Sequence, residues 1–128
     1  MSPIFLTIAE VLQIHRDQIE RYGGAPGVRD FSLLQSAVAM PASTFEGRFL
    51  HSDLYDMAAA YLFHITQNHP FIDGNKRVGA VASFVFLSLN GIEIVASQTA
   101  FEKVVRSVAE GKWEKAEAAE FFRRHSEK

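Results

Sequence analysis

The sequence predicts an all-α fold: a single-domain bundle of about six helices with a short flap loop or hairpin, over residues 1–128. Three observations carry that prediction. Apolar residues recur at helical spacing through most of the 128 residues. The periodic runs open on Ser, Thr or Asp and close on Gly or Pro, which is the chemistry of helix caps. Strand-like sequence is confined to two short pieces, and no internal repeat, low-complexity tract or interdomain linker interrupts the chain.

The first helix starts at Thr7-Ile8-Ala9-Glu10, a capping box in which Thr7 satisfies an orphan N–H and Glu10 reaches back. Ile8, Val11, Leu12, Ile14 and Ile19 follow, and Gly23-Gly24 ends it, with Ala25-Pro26-Gly27 as a turn. Asp30 caps a second helix bearing Phe31, Leu33, Leu34, Ala37, Val38 and Met40, which Pro41 stops. Residues 42–51 alternate weakly around Glu46-Gly47 and read as a loop or short hairpin. Ser52-Asp53 caps a third helix to about Asn68, with Leu54, Met57, Ala58, Tyr61, Leu62 and Ile65 on one face. A fourth runs from about Asn75 to Asn90, apolar nearly all round, and Gly91 closes it. So little polar face predicts a central position, with Ser83 and Ser88 bonding back to carbonyls a turn earlier. Ile92 to Val95 is a short extended piece. Ser97 or Thr99 then starts a fifth helix that ends at Gly111, and a last amphipathic helix covers about Trp113 to Arg124.

Composition bounds the function. An apolar content of 48%, a charged content of 22% and a net charge of −2 fit an ordinary globular protein and disfavour a general nucleic-acid or membrane-surface binder. With no cysteine there is neither a disulfide framework nor a thiolate metal site. The start has no basic n-region, and the most apolar stretch, Val78 to Leu89, falls short of the roughly 20 residues that span a bilayer. A cytoplasmic protein is expected.

Polar chemistry is densest at residues 69–77, His-Pro-Phe-Ile-Asp-Gly-Asn-Lys-Arg, between two apolar helices. His69 brings an imidazole, the side chain suited to general base work near neutral pH. Asp73 is a hard oxygen ligand of the kind Mg²⁺ takes singly or in pairs, together with phosphate oxygens. Gly74 lets the backbone approach a phosphate, and the helix start beyond it offers free N–H groups and the positive end of the macrodipole. Lys76 and Arg77 add phosphate contacts. Two cations at that end of a helix oppose the dipole, which suggests an anion between them. Pro70 stiffens the approach, while Phe71 and Ile72 are expected to point inward as anchors. Each residue alone has an ordinary structural reading, because short motifs match often by chance. Together they place base, metal ligand and phosphate clamp within nine residues. His64 and His69 are five apart, which excludes the i, i+4 helical zinc pair, and His15, His51 and His125 read as surface or structural.

The stretch resembles the signature of the Fic/Doc family, His-x-Phe-x-(Asp/Glu)-(Gly/Ala)-Asn-x-Arg. The segment from Glu20 to Asp30, with Arg21-Tyr22-Gly23-Gly24-Ala25-Pro26-Gly27, is similar to the death-on-curing branch. So are Leu33-Leu34 through Pro41, Asn68 to Phe71, and Phe86 to Gly91. The resemblance implies the all-helical fold of that family and an ATP-dependent, Mg²⁺-assisted transfer onto a protein hydroxyl. His69 would then deprotonate the target hydroxyl and Asp73 would hold Mg²⁺. Asn75, Lys76 and Arg77, with the backbone after Gly74, would clamp the phosphates. Residues 42–51 lie where the family places a flap for the target peptide; an ordinary surface loop is the equal alternative.

Departures from the family pattern refine the expectation. Adenylylating members read Asp-Gly-Asn-Gly-Arg-x-x-Arg, whereas here the second Gly is Lys76 and the last Arg is Ala80. The death-on-curing branch shares Lys there, and its founding member is a kinase thought to bind ATP in the reverse sense. Attack on the γ-phosphorus would then transfer phosphate instead of AMP. The branch often has Arg two residues before the signature His, where this chain has Gln67; Ala80 and Val81 are apolar where a polar residue can help hold nucleotide. The inhibitory pattern (Ser/Thr)-x-x-x-Glu-(Gly/Asn) has its Glu46-Gly47 but Ala42 at the Ser/Thr position, so control by a separate antitoxin is expected. The resemblance thus implies a type II toxin that phosphorylates a protein, by family a translation elongation factor (Tu), and is silenced by a Phd-like antitoxin. AMP transfer and an inactive binding module are the alternatives.

Overall fold

The computed structural model describes residues 2–128. Its helices are α1 (Ile8–Tyr22), α2 (Phe31–Ala39), α3 (Leu54–Asn68), α4 (Asn75–Leu89), α5 (Gln98–Ala109) and α6 (Lys115–Arg124). A 3-10 turn (Met40–Ala42) follows α2, with Pro41 at its start. Two antiparallel pairs complete the fold: β1 (Thr44–Phe45) with β2 (Arg48–Phe49), and β3 (Glu93–Ile94) with β4 (Ser126–Glu127).

The helix starts follow from local capping. Glu10 N–H donates to Thr7 Oγ1 at 3.1 Å and Thr7 N–H to Glu10 Oε1 at 2.8 Å. Asp30, Asp53 and Ser97 accept from Leu33, Asp56 and Ala100 N–H at 3.0, 2.8 and 3.1 Å. Such caps are each worth about 1 kcal/mol. Residues 42–51 contain the hairpin, turning at Glu46-Gly47 with both residues at positive φ, the requirement of a tight two-residue turn. β4 was not anticipated from the sequence; it pairs Glu127 with Glu93 and Ser126 with Ile94, and Val95 N–H donates to His125 O at 2.7 Å.

The central helix is α3, not α4. It packs against α2, α4, α5 and α6, and Met57 through Leu62, Ile65 and Thr66 are all buried. Ala58, Ala59 and Ala60 explain this, because small side chains let neighbouring helices approach from several directions. Full burial of residues such as Leu62 and Ile65 contributes roughly 2 kcal/mol each. α4 packs against α3, α1, α5 and β3, with Val78, Ala82, Phe86 and Leu87 in the core, but leaves Phe84 and Leu89 exposed. Its surplus apolar surface walls a groove of about 610 Å³ with α1 and α5, lined by Tyr22, Ala80, Val81, Phe84, Phe101 and Val105. Ser83 Oγ does donate to Ala80 O at 2.8 Å, whereas Ser88 Oγ turns to Glu93 Oε1 at 3.1 Å. Among the described residues no helix is long and apolar enough to cross a membrane.

Candidate active site

Residues 69–74 form the connection from the end of α3 to the start of α4, and main-chain bonds hold them to the segment after α1. Arg29 and Asp30 N–H donate to Pro70 O at 2.7 and 3.0 Å, and Ile72 N–H donates to Gly27 O at 3.1 Å. Phe71 is fully buried and forms a bridge with Val28. Ile72 does not anchor the loop inward: its side chain is 53% exposed. Strand-like alternation about the bridge sends Phe71 into the core and its neighbour outward.

His69 is exposed and takes the left-handed conformation, φ 52° and ψ 52°, as the C-cap of α3. A non-Gly residue persists there only when neighbours enforce it. Arg29 does so, donating Nε–H to His69 O at 2.7 Å and Nη2–H to Asn68 O at 3.0 Å. Asn68 Nδ2 donates in turn to Leu33 O at 3.0 Å. The imidazole is thereby presented at the surface, next to the loop that carries Asp73.

Asp73 is exposed, and each carboxylate oxygen accepts one main-chain N–H: Gly74 to Oδ1 at 2.9 Å and Ala25 to Oδ2 at 3.2 Å. These N–H groups, Ala25 first and then Gly74, hold its carboxyl below the usual carboxylate range, with a further pull from the Arg77 guanidinium. Gly24 makes the approach possible. Its φ is +117°, and a Cβ there would lie 2.7 Å from Asp73 Oδ2.

α4 begins on Gly74, at φ 80°, without a capping side chain, unlike the side-chain-capped starts of α1, α2, α3 and α5. That leaves N–H groups of the first turn open to an anion. Lys76 is exposed at this end and forms no ion pair among the described residues. The side chains of Asn75 and Arg77, the other residues expected to clamp phosphate, are engaged elsewhere. The Asn75 side chain is 4% exposed; its Nδ2 donates to Phe71 O at 3.0 Å and its Oδ1 accepts Phe71 N–H at 2.9 Å. It staples the loop, and only its main chain faces the open helix end. Arg77 is half-buried and donates to Gln18 O at 3.3 Å and Gly23 O at 3.0 Å, which closes the C-terminal end of α1. Its guanidinium is still within 3.4 Å of a Cβ position on Gly74, close to the site.

A Mg²⁺ site built from protein alone does not fit: among the described residues no group of three or more His, Asp or Glu side chains could hold a metal ion. One ionised, exposed carboxylate beside an uncapped helix start does fit a Mg²⁺ that arrives with phosphate oxygens. Gln67, in place of the Arg of the branch, donates Nε2–H to Val108 O at 2.8 Å and braces α3 to α5.

Two structural clusters escaped the sequence. Arg29 stands out in the sequence only as part of the segment from Glu20 to Asp30 that is similar to the death-on-curing branch, though it bonds the His69 and Asn68 carbonyls. His51 and His64, 13 positions apart in the chain, both accept from Lys115 Nζ, at 3.3 and 3.1 Å. An ammonium only donates, so each Nε2 is unprotonated and each ring carries its hydrogen on Nδ1. Burial first, and Lys115 second, push His51 down and His64 down to about 4.

The family model that matches this chain is that of the Fic/DOC family, over residues 5–87. The chain belongs to the Fic/DOC family. The match runs from before α1 into α4 and therefore includes the whole 69–77 connection. Among relatives, the chain is 43% identical over 75 residues to a protein named "Toxin Doc" from Mycolicibacterium smegmatis, covering 59% of this chain and 58% of that one. It is 30% identical over 88 residues to "Protein kinase doc" of Escherichia phage P1, covering 69% of each. The matched stretch thus spans less than two thirds of the mycobacterial protein's length. The family resemblance read from residues 69–77 is upheld, and so is the all-helical fold it implied.

Proposed function

We propose that this chain is a toxin that transfers the γ-phosphate of ATP to a hydroxyl group of a protein target. The observation that carries the reading is the pairing of an exposed His69, held in a left-handed conformation, with an uncapped α4 start bearing an unpaired Lys76. The names of two relatives, a toxin and a protein kinase, agree with it. His69 accepts the proton of the target hydroxyl as its oxygen bonds to the γ-phosphorus. The bond from that phosphorus to the β,γ-bridging oxygen breaks and ADP leaves. The first-turn N–H groups of α4 and Lys76 hold the phosphates, with Arg77 near by. Asp73 would hold Mg²⁺, which when bound neutralises phosphate charge. Lys76 favours the kinase reading over AMP transfer, because a side chain and a charge stand where adenylylating relatives have Gly.

The hairpin of β1 and β2, with Phe45 and Phe49 exposed, is the proposed seat of the target segment, and an elongation factor of translation is the proposed target. The proposed antitoxin lays an amphipathic, acidic helix in the groove between α1, α4 and α5. Its apolar floor carries the cations Lys76, Arg77 and Arg106 against the single carboxylate of Glu102.

Incubation with a bacterial extract and either γ-labelled or α-labelled ATP tests the reaction. Label on protein from γ-labelled ATP, abolished by His69→Ala, is the expected outcome. Label from α-labelled ATP alone would identify AMP transfer, and no label from either would favour a binding module.

A further inference from the structure

His15 lies on α1, 58 residues from Asp73 in sequence, and is 4% exposed. Its ring lies flat on that of Phe71, with centroids 4.0 Å apart and planes inclined by 6°. Its Nε2 stands 3.0 Å from Asp73 main-chain O. A carbonyl only accepts, so Nε2 carries the hydrogen and donates. The main-chain oxygen of Asp73 thus takes its hydrogen bond from another helix, and the Phe71 ring is gripped by the same imidazole.

Both contacts act on the carboxylate. The Asp73 side chain is exposed and oriented by only two main-chain N–H groups, from Ala25 and Gly74. Those bonds keep their geometry only while the Asp73 backbone keeps its place against the 23–25 segment. On the other side, Phe71 is stapled by Asn75 through both its N–H and its C=O. The imidazole of His15 spans the gap between the stapled Phe71 ring and the Asp73 main-chain carbonyl, whose own side chain is the carboxylate.

We propose that His15 is a positioning residue for Asp73, aiming its carboxylate through the Nε2–H bond to the Asp73 carbonyl and the stacked Phe71 ring. The proposal rests on the reading of Asp73 as the Mg²⁺ carboxylate. It separates into two parts. His15→Phe keeps a flat ring on Phe71 and removes the donor. His15→Gln places an amide N–H close to the position of Nε2 and removes the ring.

The test uses the full chain labelled with ¹⁵N, without nucleotide or metal, and follows the Gly74 and Ala25 amides by hydrogen exchange. In His15→Phe both amides are expected to exchange about tenfold faster than in wild type, at matched global stability. In a transfer assay the Mg²⁺ concentration for half-maximal rate is expected to rise about tenfold, as for loss of a group that orients a metal ligand. The rate at saturating Mg²⁺ is expected to be retained. His15→Gln is expected to restore both readouts toward wild type. Unchanged Gly74 and Ala25 exchange in a folded His15→Phe overturns the proposal. So does a His15→Gln protein with both amides as unprotected as in His15→Phe. If His15→Phe does not fold, protection of both amides in His15→Gln supports the donor role and its loss overturns it. Asp73→Asn separates the underlying reading: an unchanged Mg²⁺ requirement in that variant removes the metal role of Asp73, while the exchange data still decide whether His15 sets the carboxylate.

Discussion

Replacing Asn75 by Ala removes two hydrogen bonds at a position that is 4% exposed, those between its amide and Phe71 N–H and C=O at 2.9 and 3.0 Å. Phe71 itself is fully buried. Each buried polar group left without a partner costs about 1–3 kcal/mol. The gain in helix propensity from Asn to Ala at the start of α4 returns roughly 0.5 kcal/mol. The net expectation is a loss of about 3 kcal/mol. At about 4 °C per kcal/mol for a chain of this length, Tm falls by roughly 12 °C. Asn75→Asp is expected to be at least as harmful, since it keeps the acceptor for Phe71 N–H but sets a second oxygen against Phe71 O. Thermal and urea unfolding followed by far-UV circular dichroism measure both variants. An Asn75→Ala protein within about 0.5 kcal/mol of wild type, the range of an ordinary surface change, would mean that the Asn75 amide does not hold the Phe71 main chain. If its KM for ATP had risen at the same time, the side chain would be meeting phosphate and not stapling the loop.

Lys76→Ala should leave Tm nearly unchanged, because the side chain is exposed and unpaired, yet raise KM for ATP about tenfold through loss of a charged phosphate contact; initial rates against ATP concentration decide this. Gly24→Ala combines φ +117° with a Cβ 2.7 Å from Asp73 Oδ2, so it should cost roughly 1–3 kcal/mol and displace the carboxylate; a folded variant with wild-type stability and Mg²⁺ requirement would contradict that geometry. The His64 ring should make stability depend on pH. Its value is pushed from 6.5 down to about 4, so between these limits the unfolded chain takes up a proton that the folded chain refuses. Stability is therefore whole above about pH 6.5 and declines toward pH 4, by about 2 kcal/mol once partial exposure is discounted. Urea unfolding at intervals across that window should show a slope that His64→Gln flattens; equal slopes in both proteins would exclude His64 as the cause.

The sequence made the helix boundaries legible because they are set by residues a few positions apart. Thr7 with Glu10, Asp30, Asp53 and Ser97 each form the cap their types and positions suggest. The clustering of His69, Asp73, Lys76 and Arg77 is legible for the same reason, since all four lie within one connection and the helix start it leads into. What stayed hidden depends on contacts between distant residues. His15 meets Asp73 across 58 positions, and Arg77 reaches Gln18 across 59. β4 needs β3, which lies more than 30 residues earlier, and a two-residue strand has no periodicity of its own. The central place of α3 was obscured by alanines, which carry little hydrophobic signal but permit the closest packing. The apolar pattern of α4 marks its buried face, Val78, Ala82, Phe86 and Leu87, but does not separate it from Phe84 and Leu89, which stay exposed: hydrophobicity marks a surface that avoids water, and a groove wall satisfies that as readily as a buried interface.

In the proposed reaction His69 directs a protein hydroxyl to the γ-phosphorus, with Lys76 holding the phosphates for that geometry. Intact-protein mass spectrometry of the modified target, after incubation with ATP and Mg²⁺, tests it most directly. The expected result is the mass increment of one phosphate on a Ser, Thr or Tyr, absent with His69→Ala. An increment of AMP, or a phosphate increment that survives His69→Ala, would contradict it.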